Sequence, residues 1–234
     1  FMAKVAFITG GTSGIGLATA LQRARLGETL VIFGRTEERL QQAAGLIRNA
    51  GAAACHCIAV DFRYPQQAVN AMRRGLEATG RCDFLVNAAA LAPLAPFEQT
   101  SAELFDEVVN INIRSIYLGT QVIWPAMREQ KSGVIVNVSS LAAVSPFTGF
   151  SAYGGSKAWL ETVTKAWADE GRSHGIQVFV VRPGAVTTPL LDKLFPDFPA
   201  EQTVTADEVA TVINQLTSSA WQYCSGEAFT VTRQ

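Results

Sequence analysis

The sequence has almost no net charge and no long apolar run. Its 19 lysines and arginines are balanced by 20 aspartates and glutamates. A chain without a basic excess lacks the attraction that nucleic acids and anionic membrane surfaces provide. No apolar stretch is long enough to span a bilayer. These absences predict a cytoplasmic protein that binds neither nucleic acid nor membrane and whose partner is a small molecule.

Cysteine is also scarce, with four residues in 234. Cys55 and Cys57 flank His56 on a predicted strand, where the two thiols share one face and the imidazole takes the other. The three side chains therefore do not converge easily on one metal ion. We expect Cys55, Cys57, Cys82 and Cys224 to be reduced thiols in the core rather than a disulfide framework or a metal site.

The sequence instead contains short apolar runs that alternate with helical patterns, without a linker that would divide residues 2–234 into two domains. The predicted strands are Val5–Thr9, Thr29–Phe33, Ala54–Val60, Phe84–Ala88, Val134–Val138, Gln177–Val181 and Ala228–Val231. The predicted helices are Gly14–Leu26, Glu37–Asn49, Pro65–Thr79, Ala102–Gln130, Ser151–Ser173 and Asp207–Ser218. Repeated βαβ units predict an α/β fold with a doubly wound, mostly parallel seven-stranded sheet and helices on both faces.

A glycine-rich turn joins the first strand to the first helix. Gly10, Gly14 and Gly16 allow a tight bend, a close approach to a phosphate and close helix packing. The start of the helix then faces an anion. Because of this position, we predict a nucleotide site formed by Gly10, Thr12, Ser13, Gly14, Ile15 and Gly16.

The end of the second strand bears on the choice of cofactor. An acidic residue usually binds the ribose 2′-hydroxyl there, but this sequence has Gly34 followed by Arg35. An arginine can hold a 2′-phosphate, which a carboxylate would repel. This favours NADP(H) over NAD(H); alternatively, Arg35 is a solvated residue that opens the next helix. Asp61 could accept a hydrogen bond from adenine or cap a loop, and Asn87 precedes small residues that admit a cofactor.

Tyr153 and Lys157 lie four residues apart on one helix, and Ser140 follows the fifth strand. An ammonium about 4 Å from a phenol is worth roughly 4 kcal/mol at an effective dielectric of about 20. This could lower the phenol pKa by up to about three units, so that Tyr153 exchanges protons with an alcohol or a ketone. Ser140 could hold the same oxygen, with Ser139 as its rival. Alone, the pair could be an ordinary helix face.

Taken together, these motifs resemble those of the short-chain dehydrogenase/reductase family, from Val5 to about Thr188. The resemblance implies a Rossmann-type sheet, an Asn112-Ser140-Tyr153-Lys157 tetrad and a homodimer or homotetramer. It implies that Asn112 fixes a water or the helix backbone and so connects Lys157 to solvent. The implied cofactor contacts are Gly10, Thr12, Ser13, Gly14, Ile15, Gly16, Arg35, Asp61, Asn87, Ala88, Ala89, Tyr153, Lys157, Pro183, Gly184, Val186 and Thr188.

The segment 185–204 is apolar, rich in proline and irregular in pattern. It could be a substrate lid or ordinary surface packing, and with Leu91, Leu94, Val144 and Phe147 it indicates an apolar substrate. Tyr117, Trp124, Trp159 and Trp167 could form an oligomer interface or belong to the core.

We therefore expect an NADP(H)-dependent oxidoreductase that interconverts a secondary alcohol and a ketone. Two alternatives stay open: a non-catalytic NADP(H)-binding regulator, and an epimerase or dehydratase on the same scaffold.

Overall fold

The computed structural model describes residues 3–233, so the predicted domain limits Met2 and Gln234 lie outside the described residues. Its strands are β1 (Val5–Thr9), β2 (Thr29–Gly34), β3 (Ala54–Ala59), β4 (Phe84–Asn87), β5 (Gly133–Val138), β6 (Ile176–Pro183), β7 (Val186–Thr187), β8 (Val204–Thr205) and β9 (Ala228–Val231). Seven of them form one parallel sheet in the order β3-β2-β1-β4-β5-β6-β9. The predicted doubly wound fold is confirmed.

The central strands are apolar because helices cover the sheet on both faces. The helices are α1 (Gly14–Ala24), α2 (Glu37–Asn49), α3 (Pro65–Thr79), α4 (Ala102–Val109), α5 (Ser115–Gln130), α6 (Ser151–Gly171), α7 (Pro189–Leu194) and α8 (Ala206–Gln215). One core layer contains Leu40 of α2 and Ile213 of α8, and the opposite layer contains Met72 of α3 and Leu160 of α6. Burying such a side chain contributes about 1.5–3 kcal/mol.

The predicted helix Ala102–Gln130 is wrong in one respect, because a π-helical turn over Asn110–Arg114 separates α4 from α5. A π turn inserts an extra residue into the helical ladder and is frequent at functional sites. Asn112 lies in this turn and is fully buried. The interruption therefore aims its side chain into the protein.

Segment 185–204 is more ordered than its composition predicts. It contains helix α7, and its two ends pair as parallel strands, with Val186 opposite Val204 and Thr187 opposite Thr205. Thr188 caps α7 by accepting a hydrogen bond from the Leu191 N–H group at 3.3 Å. The expectation of an irregular stretch is thus correct only for its middle.

The four cysteines are free, but only Cys82 is buried, whereas Cys55, Cys57 and Cys224 are half-buried. The other three pack against the apolar core as partly buried side chains, so the expectation of core thiols holds fully for Cys82 and in part for the rest. Burial raises the pKa of Cys55 to about 12. Residues 3–233 contain no cluster of histidine, cysteine or acidic side chains suited to a metal ion. Over the same residues, every helix is too short or too polar to cross a bilayer.

Candidate active site

The glycine turn between β1 and α1 adopts conformations that need glycine. Gly10 and Gly14 have φ angles of 67° and 50°, in the left-handed region where side chains are strained. A Cβ atom on Gly16 would collide with the Gly10 carbonyl oxygen. Within residues 3–233, the Ser13 side chain makes no capping hydrogen bond at the start of α1. The N–H groups of the first helical turn therefore stay free for an anion.

This turn opens one end of a groove that crosses the carboxyl edge of the sheet. Predicted cofactor residues that line the groove are Gly10, Thr12, Ser13, Gly14, Ile15, Gly16, Arg35, Asp61, Ala88, Ala89 and Thr188. The lining also contains Gly34, Thr36, Arg39, Phe62 and Ile111, which sequence reasoning missed or left unassigned. The remaining predicted cofactor residues lie outside this lining: Asn87, Tyr153, Lys157, Pro183, Gly184 and Val186.

Asn87 serves a buried polar network rather than the groove. Its amide donates to the Asn137 Oδ1 atom at 2.8 Å and to the Thr120 hydroxyl at 3.3 Å. The groove edge beside it is instead fixed by Thr9, whose hydroxyl accepts hydrogen bonds from the N–H groups of Ala88 and Ala89 at 3.0 Å each. The cofactor contact of Asn87 therefore stays a prediction, and the structure shows that the side-chain amide nitrogen already has two protein partners.

Arg35 is exposed at the far end of the groove, and Arg39 lies beside it one helical turn later. No ion pair joins either guanidinium to a carboxylate within residues 3–233. Gly34 is constrained by its neighbour, because a Cβ atom there would lie 2.7 Å from the Thr12 Cγ2 atom. This end of the groove therefore has two cations and little space for an acidic side chain at Gly34.

Asp61 borders the same groove but is already paired. Its carboxylate accepts hydrogen bonds from the Arg63 guanidinium, the shortest at 2.6 Å, and from the Arg63 backbone N–H at 3.0 Å. The hydrogen bond from Arg63 holds the pKa of Asp61 below its usual value, and Arg35 adds a smaller attraction. Of the two predicted roles, the loop cap is therefore seen directly.

Ser140, Tyr153 and Lys157 converge at the carboxyl end of β5. The Lys157 Nζ atom lies 5.7 Å from the centroid of the Tyr153 ring and donates a 2.8 Å hydrogen bond to the Val138 carbonyl oxygen. Tyr153 and Lys157 are 8% and 2% exposed. The structure thus brings together the three side chains that the sequence spacing indicated.

Burial controls the protonation of both groups. It raises the pKa of Tyr153, although the Ser140 hydroxyl facing the phenol opposes the rise. It also lowers the pKa of Lys157 to about 8. The expected lowering of the Tyr153 pKa by Lys157 is therefore not what the structure shows, because loss of solvent outweighs the polar contact.

Ser139 and Ser140 point in opposite directions, as expected for neighbours in an extended segment. Ser139 is buried and donates to the Glu161 Oε1 atom at 2.8 Å, whereas Ser140 faces Tyr153. The Ser140 hydroxyl also accepts a 3.2 Å hydrogen bond from the Ala142 N–H group. Only Ser140 is therefore available to a group bound at Tyr153.

Asn112 connects the segment after β4 to helix α6. Its amide exchanges two 2.8 Å hydrogen bonds with the backbone of Leu91 and donates to the Ser156 hydroxyl at 3.0 Å. In the described part of the chain these partners, rather than Lys157, occupy the side chain. Its direct effect is to fix the segment after β4 against α6.

Pro183, Gly184, Val186 and Thr188 run along the other side of the site. A Cβ atom on Gly184 would come within 2.8 Å of the Thr232 side chain, so this crossing after β6 requires glycine. Thr188 reaches the glycine turn: its Cγ2 atom is 3.2 Å from where a Cβ atom of Gly14 would lie. Segment 185–204 therefore begins close to the glycine turn, at the end of the groove where the sequence predicts a nucleotide.

An aromatic cluster formed by Phe147, Phe150, Phe195 and Phe198 surrounds the other side of Tyr153. The ring centroids of Phe150 and Tyr153 are 5.2 Å apart, edge to face, and Phe147 stacks on Phe150 at 4.5 Å. Phe195, which follows α7, packs on Phe150 at 6.2 Å. Segment 185–204 is thus in contact with the surroundings of Tyr153.

Comparison with known proteins agrees with this geometry. The short chain dehydrogenase family profile matches residues 4–198. A cyclopentanol dehydrogenase of Comamonas sp. is 36% identical over 191 residues, which cover 82% of this chain and 76% of that protein.

Solved structures with bound cofactors are also similar. A 3-ketoacyl-(acyl-carrier-protein) reductase from Brucella melitensis complexed with NADH is 31% identical, with a TM-score of 0.87 over 98% of this chain and 96% of that one. A structure described as an NAD(P)-dependent gluconate 5-dehydrogenase from Beutenbergia cavernae, with bound NADP, is 29% identical, with a TM-score of 0.89 over 98% and 95%. The glycine turn, the parallel sheet and these matches show that the chain belongs to the short chain dehydrogenase family of oxidoreductases.

Proposed function

We propose that this chain is an NADP(H)-dependent oxidoreductase that interconverts a secondary alcohol and a ketone, with Tyr153 as the acid and base. The observation that carries the proposal is the convergence of Ser140, Tyr153 and Lys157 at the strand edge that the groove follows. A dinucleotide in this groove is supported by the tight glycine turn, in which Gly16 packs directly against the Gly10 backbone, and by the start of α1, which has no side-chain cap among the described residues and suits a pyrophosphate.

A bound nicotinamide supplies or accepts the hydride. For reduction, Tyr153 donates its proton to the carbonyl oxygen, and the raised phenol pKa keeps that proton in place at neutral pH. Ser140 donates a hydrogen bond to the same oxygen, which strengthens as negative charge develops there. Lys157, when protonated, favours the phenolate that Tyr153 becomes after transfer. In oxidation the same groups act in reverse.

The preference for NADP(H) is supported by Arg35 and Arg39. Both guanidiniums line the end of the groove beyond the glycine turn. Two arginines can hold a 2′-phosphate with charged hydrogen bonds, each worth about 1.5–3 kcal/mol. The relatives include NADH and NADP complexes, so the preference is a property to be measured on this chain.

The test is ketone reduction followed by loss of NADPH absorbance, with NADH in parallel and Tyr153→Phe as the control. We expect NADPH to be the better donor and the variant to lose roughly 10²–10⁴-fold in kcat while still binding NADPH. A clear preference for NADH would overturn the cofactor assignment, and full turnover by the variant would overturn the role of Tyr153. An NADP(H)-binding regulator would bind NADPH without consuming it, and an epimerase or dehydratase would convert substrate without net consumption.

The substrate we propose is apolar and uncharged. The aromatic cluster beside Tyr153 includes Phe147, which is 52% exposed, and segment 185–204 acts as a lid over it. The lid carries Asp192, Asp197 and Glu201 against the single cation Lys193, so it offers little attraction for an anionic carrier. We expect cyclohexanone to be reduced with a higher kcat/KM than acetoacetyl-CoA. Phe147→Ser should lower kcat/KM for cyclohexanone about tenfold. The control variant Tyr223→Ser, at a 90% exposed position, should leave it unchanged. The opposite order of substrates would contradict this class.

A homodimer or homotetramer is also proposed, through helices α5 and α6. Tyr117 is 44% exposed and lies 5.8 Å from Trp167 and 6.4 Å from Trp159. Tyr117 is the exposed member of this group, whereas Trp167 is buried, and aromatic side chains are enriched at interfaces. Light scattering of the wild type and of Tyr117→Arg tests it: the variant should be smaller, and a monomeric wild type would overturn it.

A further inference from the structure

A largely buried ion pair lies behind the candidate site, between α6 and β6. The Glu161 carboxylate accepts hydrogen bonds from the Arg182 Nε atom at 2.8 Å and the Nη2 atom at 2.6 Å. The side chains are only 13% and 17% exposed. A bidentate pair of this kind fixes the geometry of both partners.

The pair continues into the strand end that carries the site. Ser139 donates to the Glu161 Oε1 atom at 2.8 Å and approaches the Lys157 carbonyl oxygen at 3.4 Å. On the other side, Arg182 donates to the Thr230 hydroxyl at 3.0 Å. One carboxylate therefore joins β5 and α6 to β6, and Arg182 extends the connection to β9.

Glu161 lies one helical turn after Lys157, on the same face of α6. Burial alone would raise the pKa of Glu161, but the hydrogen bonds from Arg182 and Ser139 hold the pKa below its usual value. The carboxylate is therefore charged at neutral pH, and its loss would leave the Arg182 guanidinium without its partner in a poorly solvated place.

We propose that Glu161, held by Arg182, is a positioning residue for Ser140, Tyr153 and Lys157; the inference rests on the proposed function. Glu161 acts through Ser139, which lies in the chain between Val138 and Ser140. On one side, the Val138 carbonyl oxygen holds the Lys157 ammonium at 2.8 Å. On the other, Ser140 faces the Tyr153 phenol. When Glu161 anchors Ser139, it therefore sets both contacts at once.

The experiment compares Glu161→Ala with Arg81→Ala. Arg81 forms a similar bidentate pair with Asp83, at 2.6 and 2.9 Å, at the opposite edge of the sheet. We expect Glu161→Ala to lower kcat roughly tenfold or more, to leave NADPH affinity within about twofold, and to shift the pH profile of kcat. Glu161→Gln, which keeps an acceptor for Ser139, should recover most of the loss. Arg81→Ala should keep wild-type kcat at a similar loss of stability.

Ser139→Ala keeps the ion pair between Glu161 and Arg182 and removes only the hydrogen bond from Ser139 to Glu161. This variant therefore provides the test if Glu161→Ala does not fold. We expect a lower kcat in this variant too. An unchanged kcat in Ser139→Ala, or equal losses in Glu161→Ala and Arg81→Ala, would overturn the inference.

A second readout does not depend on turnover. The chain has four tyrosines, so the NMR signal of carbon-13-labelled Tyr153 can be assigned by its loss in Tyr153→Phe. It should move in Ser139→Ala and stay in place in Arg81→Ala. If the wild type reduced no ketone, the proposed function would fail, but the NMR signal would still report whether Ser139 positions Tyr153. An unmoved signal in Ser139→Ala would overturn the positioning role of Glu161 and leave the proposed function standing.

Discussion

The Nζ atom of Lys157 lies 5.7 Å from the centroid of the Tyr153 ring, and the lysine has almost no contact with solvent. Its ammonium is held by the Val138 carbonyl oxygen at 2.8 Å. Because burial dominates, the pKa of Tyr153 is raised and that of Lys157 is lowered to about 8. Both shifts favour neutral groups, which suits the proposed role of Tyr153 as the proton donor to a ketone.

The burial of Lys157 predicts a dependence of stability on alkaline pH. The pKa of Lys157 is about 8 in the folded protein, whereas an unperturbed lysine has a pKa of 10.5. Between these values the folded state binds fewer protons than the unfolded chain, so the free energy of unfolding rises with pH. Lys157→Met removes this contribution. We expect the wild type to gain up to about 3 kcal/mol relative to the variant across this window.

Urea unfolding at a series of pH values measures this gain. Lys165→Met, at an exposed position of the same helix, is the matched control. A difference between wild type and Lys157→Met that does not change with pH would contradict the prediction.

Charge at the groove end predicts how cofactor affinity responds to substitution. Arg35→Ala and Arg39→Ala should each weaken NADPH binding about tenfold or more and NADH binding much less, because only NADPH carries the 2′-phosphate. Calorimetric titration with each cofactor checks this. Arg48→Ala, on the same helix but outside the groove lining, should change neither affinity. Equal losses for both cofactors would count against a 2′-phosphate site.

The contact between Gly34 and Thr12 predicts that a simple exchange of cofactor preference fails. Gly34→Asp places a Cβ atom 2.7 Å from the Thr12 Cγ2 atom, so the carboxylate cannot settle without moving the turn. We expect this variant to bind both cofactors poorly. Adding Thr12→Ser removes the methyl group and should restore NADH binding but not NADPH binding. Tight NADH binding by Gly34→Asp alone would refute the steric argument.

The hydrogen bonds of Asn112 predict that its removal lowers the free energy of unfolding. Asn112→Ala removes three hydrogen bonds and leaves the Leu91 backbone groups without side-chain partners. Each unsatisfied buried group costs about 1–3 kcal/mol. Urea unfolding should therefore show a loss of about 2–4 kcal/mol, with Asn70→Ala, at an exposed position, as the control. An unchanged stability would show that water replaces the amide.

Much of the fold could be predicted from local pattern. β1 and β9 match their predicted limits, and β2, β3, β4 and β5 differ by one residue, because buried parallel strands appear as short apolar runs. The glycine turn was predictable since its backbone angles exclude most side chains. Tyr153, Lys157 and Ser140 were predictable because helix and strand spacing determine which groups meet.

Other features depend on contacts between distant segments. The π turn at Asn112 has no sequence signal, because the partners of the Asn112 side chain, Leu91 after β4 and Ser156 of α6, are distant in sequence. The amide of Asn87 has buried partners that sequence spacing does not reveal. Arg39 follows Arg35 by four residues, which is a weak signal in the sequence, and only the folded groove separates it from an ordinary surface arginine.

The short ladder between β7 and β8 makes segment 188–203 a closed excursion. The chain leaves beside Val186 and returns beside Val204, and the hydroxyls of Thr187 and Thr203 meet at 2.8 Å. Loop closure depends only weakly on loop length once the ends are fixed. We therefore expect this stretch to be exchangeable between homologues without disturbing the parallel sheet, provided that the contact of Thr188 with the glycine turn is kept.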